Sequence, residues 1–339
     1  MKDLRVVALL LLVLILVGSV FSQAQTPDTS PKLKVAIFIF PGVQTIDYSG
    51  PMEVFAQAQT NVYAVAEKPD PVVTASGLTI IPKYTFNDAP KADLIVLPGG
   101  GGYKKGHGGV GDQLDNPVVI QWIQDNSRQA KVLTVCNGAF FAAKAGLLNG
   151  LPATTFYGML PNLTEVSPTT IPVYDKRYVD NGNIVTTAGL SSGIDGSLYV
   201  VSKMLGMGTA KGIALNMEYN WDPNSTYARA SLGDMNIPNS LGSILPPFKS
   251  ISSTGGTDNW TDVNELSTNL SAEEMLKRTN DNLSASGKWT KVDGPQASAP
   301  TSYWKITDHA GKLWKGVVTV SSDATKKDTL ILTFQLNRI

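Results

Sequence analysis

The 339-residue chain carries 28 basic and 28 acidic side chains, so its formal net charge at pH 7 is zero, and 42% of its residues are apolar. That length supports one large or two ordinary domains with a real core, and the charge balance leaves no electrostatic footprint for nucleic acid. A single cysteine excludes an internal disulfide framework.

Lys2 and Arg5 precede an unbroken apolar run from Val6 to Val17, and Ser22-Gln23-Ala24 makes a small-residue cleavage site before Gln25. Residues 1–24 are read as a cleaved secretory signal peptide, which predicts a periplasmic or secreted protein with no stable membrane span after cleavage. Outside the cytoplasm a lone cysteine is left for intermolecular pairing or as a free reactive thiol.

Residues 26–34 are polar and proline-bearing, a linker to the first element. Residues 35–40 are apolar without alternation, as in a strand covered on both faces, and end at Pro41-Gly42. Asp47 is placed in the following loop, with Ser49 and Pro51 opening a helix to about Gln59. In an open α/β sheet that loop lies at the carboxyl end of its strand, the edge where ligands bind. Residues 61–66 and 78–82 read as short strands, and 93–97 as a buried strand closing on Pro98-Gly-Gly-Gly-Gly102. This glycine run lacks the Gly-Lys-Ser/Thr ending of a phosphate loop and reads better as backbone that comes close to a reacting centre. An amphipathic helix over 117–128 leads to a strand over 131–135.

Cys136 then stands between that strand and an apolar stretch, 138–148, of helix length. A sharp strand-to-helix turn lifts a side chain out of the sheet end and points free helix N–H groups toward it, which favours the thiolate. The competing reading is a buried structural cysteine acting as a small hydrophobe. Asp47, Gly99-Gly100 and Cys136-Asn137 thus lie on loops at the carboxyl ends of successive strands. A carboxyl beside a thiol can set its protonation, and the N–H groups of Gly100 and Asn137 are candidate oxyanion donors. Asp47 alone fits helix capping equally well.

Further short strands are predicted at 153–157, 171–175 and 183–187, and helices from Ser192-Gly-Ile-Asp195 to about Leu205 and over 209–219. Residues 34–221 are therefore read as an α/β domain, a doubly wound, mostly parallel sheet with a cysteine nucleophile elbow. Residues 222–270, rich in Pro, Gly and Ser, read as a linker, and 271–339 as a small α+β module of one helix followed by strands. In that module Trp289, Trp304, Trp314 and His309 are read as packing or partner surface in preference to a site.

Several ordered motifs carry a resemblance: residues 40–55 (Phe-Pro-Gly-Val-Gln-Thr-Ile-Asp-Tyr-Ser-Gly-Pro-Met-Glu-Val-Phe), Leu97-Pro-Gly-Gly100, Val135-Cys-Asn-Gly-Ala139, Ala145-Gly-Leu-Leu-Asn-Gly150, Ala153-Thr-Thr155 and Ser192-Gly-Ile-Asp195. Residues 34–221 resemble the PfpI-like superfamily, which has a class I glutamine amidotransferase-like core, and look most like its isocyanide hydratase branch. The resemblance implies Cys136 as nucleophile with Asp47 as its acidic partner, a small-molecule substrate and no cofactor or metal. In the hydratases the thiolate attacks the terminal carbon of an isocyanide, and hydration yields an N-substituted formamide. A homodimer is the expected assembly.

This chain departs from the branch in three ways. Asn137 stands where Thr is common, Phe156 stands where His often follows Ala-Thr-Thr, and the export signal has no counterpart in the familiar intracellular hydratases. Phe156, Tyr157 and Ser191 are expected to line the pocket, with Phe156 making it more apolar. The protease branch pairs its cysteine with a following His, a place taken here by Asn137, so a Cys–His dyad would need the loop of His107 to fold back. Related transcription regulators carry a helix-turn-helix module after the α/β half, whereas this tail is rich in strands. Two readings stand: a cysteine-dependent hydro-lyase on a small electrophile, or a non-catalytic exported binding or redox-sensing protein using Cys136.

Overall fold

The computed structural model describes residues 32–225, 235–256, 258–308 and 311–339. The signal-peptide reading of residues 1–24 and the reading of His309 lie outside the described residues.

Apolar runs with no polar face build the first sheet. Its strands are β1 (Lys34–Phe38), β2 (Asn61–Ala66), β3 (Tyr84–Thr85), β4 (Leu94–Leu97), β5 (Lys131–Thr134), β6 (Tyr178–Asp180) and β7 (Ile184–Thr187), in the order β6-β7-β5-β4-β1-β2-β3. All neighbours are parallel except β6 and β7. Every residue of β4 and of β7 is buried, as expected for strands covered by helices on both faces. The chain leaves β1 in one direction for β2 and β3 and returns on its other side as β4, so the switch point of the topology lies between β1 and β4. That is the place where open α/β sheets hold ligands.

Helices α1 (Thr45–Gln57), α2 (Pro117–Ser127), α3 (Ala139–Lys144), α4 (Ser192–Met204) and α5 (Met207–Asn216) accompany this sheet. The start of α2 was legible: Asn116 accepts from the Val118 N–H at 3.0 Å, and Pro117 occupies the first helical position. The start of α1 differs from expectation. It begins before Ser49 and takes Asp47 into its first turn, with Pro51 inside the helix. Tertiary contacts override the local start signal here: the Gln44 N–H donates to the Gly99 carbonyl at 2.8 Å, and Tyr48, Val54 and Phe55 are buried. Helix α3 is shorter than the apolar stretch 138–148 suggested, ending at Lys144 ahead of Gly146, whose φ is +79°. The expected strand at 78–82 reduces to Thr79–Ile80, paired with Val72–Val73 outside the main sheet.

The stretch 222–270 corrects the linker reading. Two strands that pair antiparallel, β8 (Phe248–Gly255) and β9 (Asn259–Ser267), belong to a second, antiparallel sheet. Helix α6 (Ala272–Ala285) follows, capped by the Ser271 hydroxyl accepting from the Glu274 N–H at 3.1 Å. Then come β10 (Trp289–Val292), β11 (Thr301–Thr307), β12 (Leu313–Ser322) and β13 (Thr329–Arg338), giving the order β8-β9-β13-β12-β11-β10. Met275, Leu276, Thr279 and Leu283 of α6 are buried, as are Trp260, Trp289, Trp304, Trp314 and Phe334 of the strands. The indole N–H groups of Trp289, Trp304 and Trp314 donate to the Asn236 carbonyl (2.6 Å), Ser302 Oγ (2.8 Å) and Asp308 Oδ2 (2.9 Å). These tryptophans are core posts with their polar atoms satisfied.

The two sheets have separate hydrophobic cores, the first ending with Tyr219 and Trp221 packed against it, the second beginning at Ile237. A fragment of residues 32–224 is therefore expected to fold alone. Thermal unfolding followed by circular dichroism should show one cooperative transition for it; a broad, featureless melt would mean the second sheet completes the first core.

Candidate functional site

Three strand ends converge at the switch point. After β5 the chain turns sharply at Cys136, whose φ is +57°, and makes one 3-10 turn, Cys136–Gly138, before α3. For a residue with a Cβ this is a strained conformation, held by its surroundings. The Val135 N–H donates to the Leu97 carbonyl at 3.0 Å, the Cys136 N–H to the Ala188 carbonyl at 3.1 Å, and Thr155 Oγ1 to the Cys136 carbonyl at 2.6 Å. Gly138 is required because a Cβ there would strike the Leu97 carbonyl, and at Gly99 a Cβ would stand 2.8 Å from that of Cys136.

Asp47 reaches this turn from α1. It has no exposed surface, and its Oδ2 accepts from the Gly99 N–H at 3.2 Å, while Oδ1 is buried without a well-formed hydrogen bond. The carboxyl also interacts with the Cys136 thiol and the Leu190 N–H. Burial pushes Asp47 up to about 7, against the opposing pull of Cys136, Gly99 and Leu190. Burial likewise pushes the Cys136 thiol up, and a charge on Asp47 pushes it the same way, while the N–H groups of Asn137 and Leu190 pull it down. The thiolate-favouring environment expected from the sequence is therefore not what is found: Cys136 is 8% exposed and harder to ionise than a free cysteine. Two negative charges this close and this dry repel strongly, so the groups titrate as a pair that carries at most one charge near neutrality.

The glycine loop is clamped from within. Asn137 Oδ1 accepts from the Gly100 N–H at 2.7 Å, and its Nδ2 donates to the carbonyls of Gly101 (2.9 Å), Gly100 and Gly102 (both 3.3 Å). This corrects the oxyanion reading: the Gly100 N–H is committed to a side chain, and the Asn137 N–H acts on the sulfur.

The pocket residues separate. Phe156 is half-buried and lies against Gly158 and Gly189, beside the arch that carries Leu190 over the sulfur. Tyr157, its ring 4.6 Å from that of Phe156, faces a cleft of about 270 Å³ walled by Gly158, Pro161, Met235, Ile237, Pro238, Asn239 and Lys288. Ser191 is exposed, and its hydroxyl accepts from Arg177 Nη2 at 3.1 Å instead of lining a pocket. The one histidine among the described residues, His107, is exposed on the 102–109 loop and is not among the groups acting on the sulfur. No group of three His, Cys, Asp or Glu side chains converges as metal ligands would among the described residues.

A family profile described as DJ-1/PfpI family matches residues 33–203, half of the chain. The chain belongs to the DJ-1/PfpI family. It is 35% identical over 192 residues to the isonitrile hydratase of Pseudomonas putida, a match that spans 55% of this chain and 78% of that protein. Protein DJ-1alpha of Drosophila melanogaster is 25% identical over 194 residues, spanning 55% of this chain and 84% of that one. Among solved structures, a ThiJ/PfpI family protein from Pseudomonas syringae superposes with a TM-score of 0.53 at 26% identity, covering 63% of this chain and 90% of that one. Both sequence matches cover little more than half of this chain.

Leu190 was not foreseen, because nothing in a leucine after Gly189 announces a left-handed residue (φ +56°) that turns its N–H inward. The Asp47 carboxyl predicts a measurable pH dependence. Below about pH 4 folded and unfolded chains both hold its proton; between about 4 and about 7 only the folded chain does. Stability from this group therefore falls as pH rises through that window and is flat above it. Urea unfolding of wild type and Asp47→Asn should show the variant gaining up to about 4 kcal/mol on wild type between pH 4 and pH 7.5, at ~1.4 kcal/mol per unit. A constant difference would mean Asp47 ionises normally.

Proposed function

We propose that this DJ-1/PfpI-family chain is an exported, cysteine-dependent hydro-lyase that adds water to the terminal carbon of an isocyanide. The observation that carries the reading is the buried Asp47–Cys136 pair on the elbow, in a chain 35% identical to an isonitrile hydratase. Its reactive form is the minor tautomer of the singly charged pair, in which the Cys136 proton has passed to Asp47 and the thiolate lies beneath the N–H groups of Asn137 and Leu190 that pull the thiol down. Sulfur bonds to the terminal carbon of R–N≡C while Asp47 delivers its proton to that carbon, giving the thioimidate R–N=CH–S-Cys. Water adds to the same carbon; Asp47 takes a proton from it and passes it to nitrogen. The C–S bond of R–NH–CH(OH)–S-Cys then breaks, the hydroxyl proton returns to Asp47, and R–NH–CHO leaves. One water is consumed, and the pair is reset.

Two details favour this chemistry over acyl transfer. A carboxyl raised to about 7 is matched to donating a proton near neutrality. The Gly100 N–H, already engaged by Asn137, suits a first step that builds no oxyanion. The half-buried ring of Phe156 favours an apolar R group. Export rests on Lys2, Arg5, the run from Val6 to Val17 and the Ser22-Gln23-Ala24 site.

The test is a substrate screen, isocyanides first and α-oxoaldehydes second, on protein recovered from the exported fraction with Gln25 as its first residue. Formamide should accumulate with wild type, vanish with Cys136→Ala, and fall by more than tenfold in kcat with Asp47→Asn, the size of effect of a positioned acid–base group. Formamide production that survives Cys136→Ala, or no isocyanide turnover by wild type, overturns the assignment.

A further inference from the structure

The arch of residues 188–191 borders the pair: its Ala188 carbonyl accepts the Cys136 N–H at 3.1 Å and the Leu190 N–H pulls both Cys136 and Asp47 down, so whatever holds the arch in place governs the site. Leu190 sits in this arch with φ +56° and is itself 43% exposed, too little buried to anchor the turn. The anchor stands beside it. The Arg177 carbonyl accepts from the Ala188 N–H at 2.8 Å, and the Ala188 carbonyl in turn accepts from the Cys136 N–H at 3.1 Å. The Arg177 guanidinium donates through Nη2 to Ser191 Oγ at 3.1 Å, so one residue grips both ends of the arch.

The guanidinium is itself fixed. Nε and Nη2 both contact Asp195 Oδ2 in the first turn of α4, and Tyr219 donates to Asp195 Oδ1 at 3.1 Å. The Arg177 and Asp195 side chains are 12% and 7% exposed. A pair this buried is held by geometry, and removing one partner strands the other. The hydroxyl of Ser191 is thereby drawn away from the pocket and into this clasp.

We propose that Arg177 is a positioning residue for the Cys136–Asp47 pair: clasped by Asp195 and Tyr219, it holds the 188–191 arch so that the Leu190 N–H points at the sulfur. The proposal rests on the reading of Cys136 as the reactive thiol, but its readouts need no substrate. Because the chain has one cysteine, 13Cβ-labelled cysteine gives a single resonance whose titration reports Cys136 alone. Hydrogen exchange of the Leu190 amide reports the arch.

Arg177→Lys keeps the charge but loses the planar fork. It should raise the Cys136 titration midpoint by about one pH unit, leaving about tenfold less thiolate at a given pH, the scale of one hydrogen bond to a charged group. The Leu190 amide should exchange at least about tenfold faster on the same scale. If Arg177→Lys fails to fold, the charge-free pair Arg177→Met with Asp195→Asn removes the clasp without stranding a buried carboxylate and should shift both readouts likewise. A lowered melting temperature with both readouts unmoved reduces the clasp to structure and overturns the proposal. Faster Leu190 exchange with an unmoved cysteine titration also overturns it, because the arch then does not act on the sulfur. If both readouts move yet wild type hydrates no isocyanide, the clasp stands and the proposed reaction falls.

Discussion

A carboxyl and a thiol held together without water are the constraint on which this molecule turns. Asp47 arrives from the first turn of α1 and Cys136 from the strained turn after β5, and both are buried. Both cannot be charged side by side in so dry a place, so the pair carries at most one negative charge near neutrality. Much of the surrounding architecture serves that contact. Gly138 and Gly99 lack side chains where a Cβ would push the elbow away, Thr155 fixes the Cys136 carbonyl, and the 188–191 arch supplies an N–H from above.

This arrangement differs from the usual picture of a reactive cysteine, an exposed thiol ionised by a helix N-terminus. Helix α3 has only six residues, and burial raises the thiol instead of lowering it. In the proposed reaction it is the carboxyl that makes the thiol reactive. Burial lifts Asp47 to about 7, so it still holds a proton near neutrality, and the proposed thiolate arises by passage of the Cys136 proton to that carboxyl. Asn137 contributes rigidity: three carbonyls and one N–H of the glycine loop are tied to a single amide, so the loop that borders the sulfur cannot drift.

The half of the chain that carries the site was largely legible. Uninterrupted apolar runs gave away β1, β4 and β5, Asn116-Pro117 marked a helix start, and the place of Cys136 after β5 identified the elbow. What could not be read were features set by distant contacts. Whether Gly100 offers its N–H to a substrate depends on where the Asn137 amide turns, and whether Ser191 faces a pocket depends on Arg177, fourteen residues earlier. The pair β8–β9 escaped because its strands are built from Ser, Thr, Asn and Gly with few apolar markers; pairing of β9 with β13 over nine residues places it in the second sheet. That sheet keeps its own core of tryptophans, and the segment before it, Met235 to Asn239, forms a wall of the cleft beside Tyr157.

The proton on Asp47 can be seen directly. Infrared difference spectroscopy between wild type and Asp47→Asn isolates the carbonyl stretch of a protonated carboxyl at position 47. The account predicts that this band is present at pH 6 and disappears with a midpoint near pH 7, where burial places the Asp47 pKa. A band already gone by pH 5, with carboxylate signals in its stead, would show Asp47 ionised at neutral pH and would contradict the account.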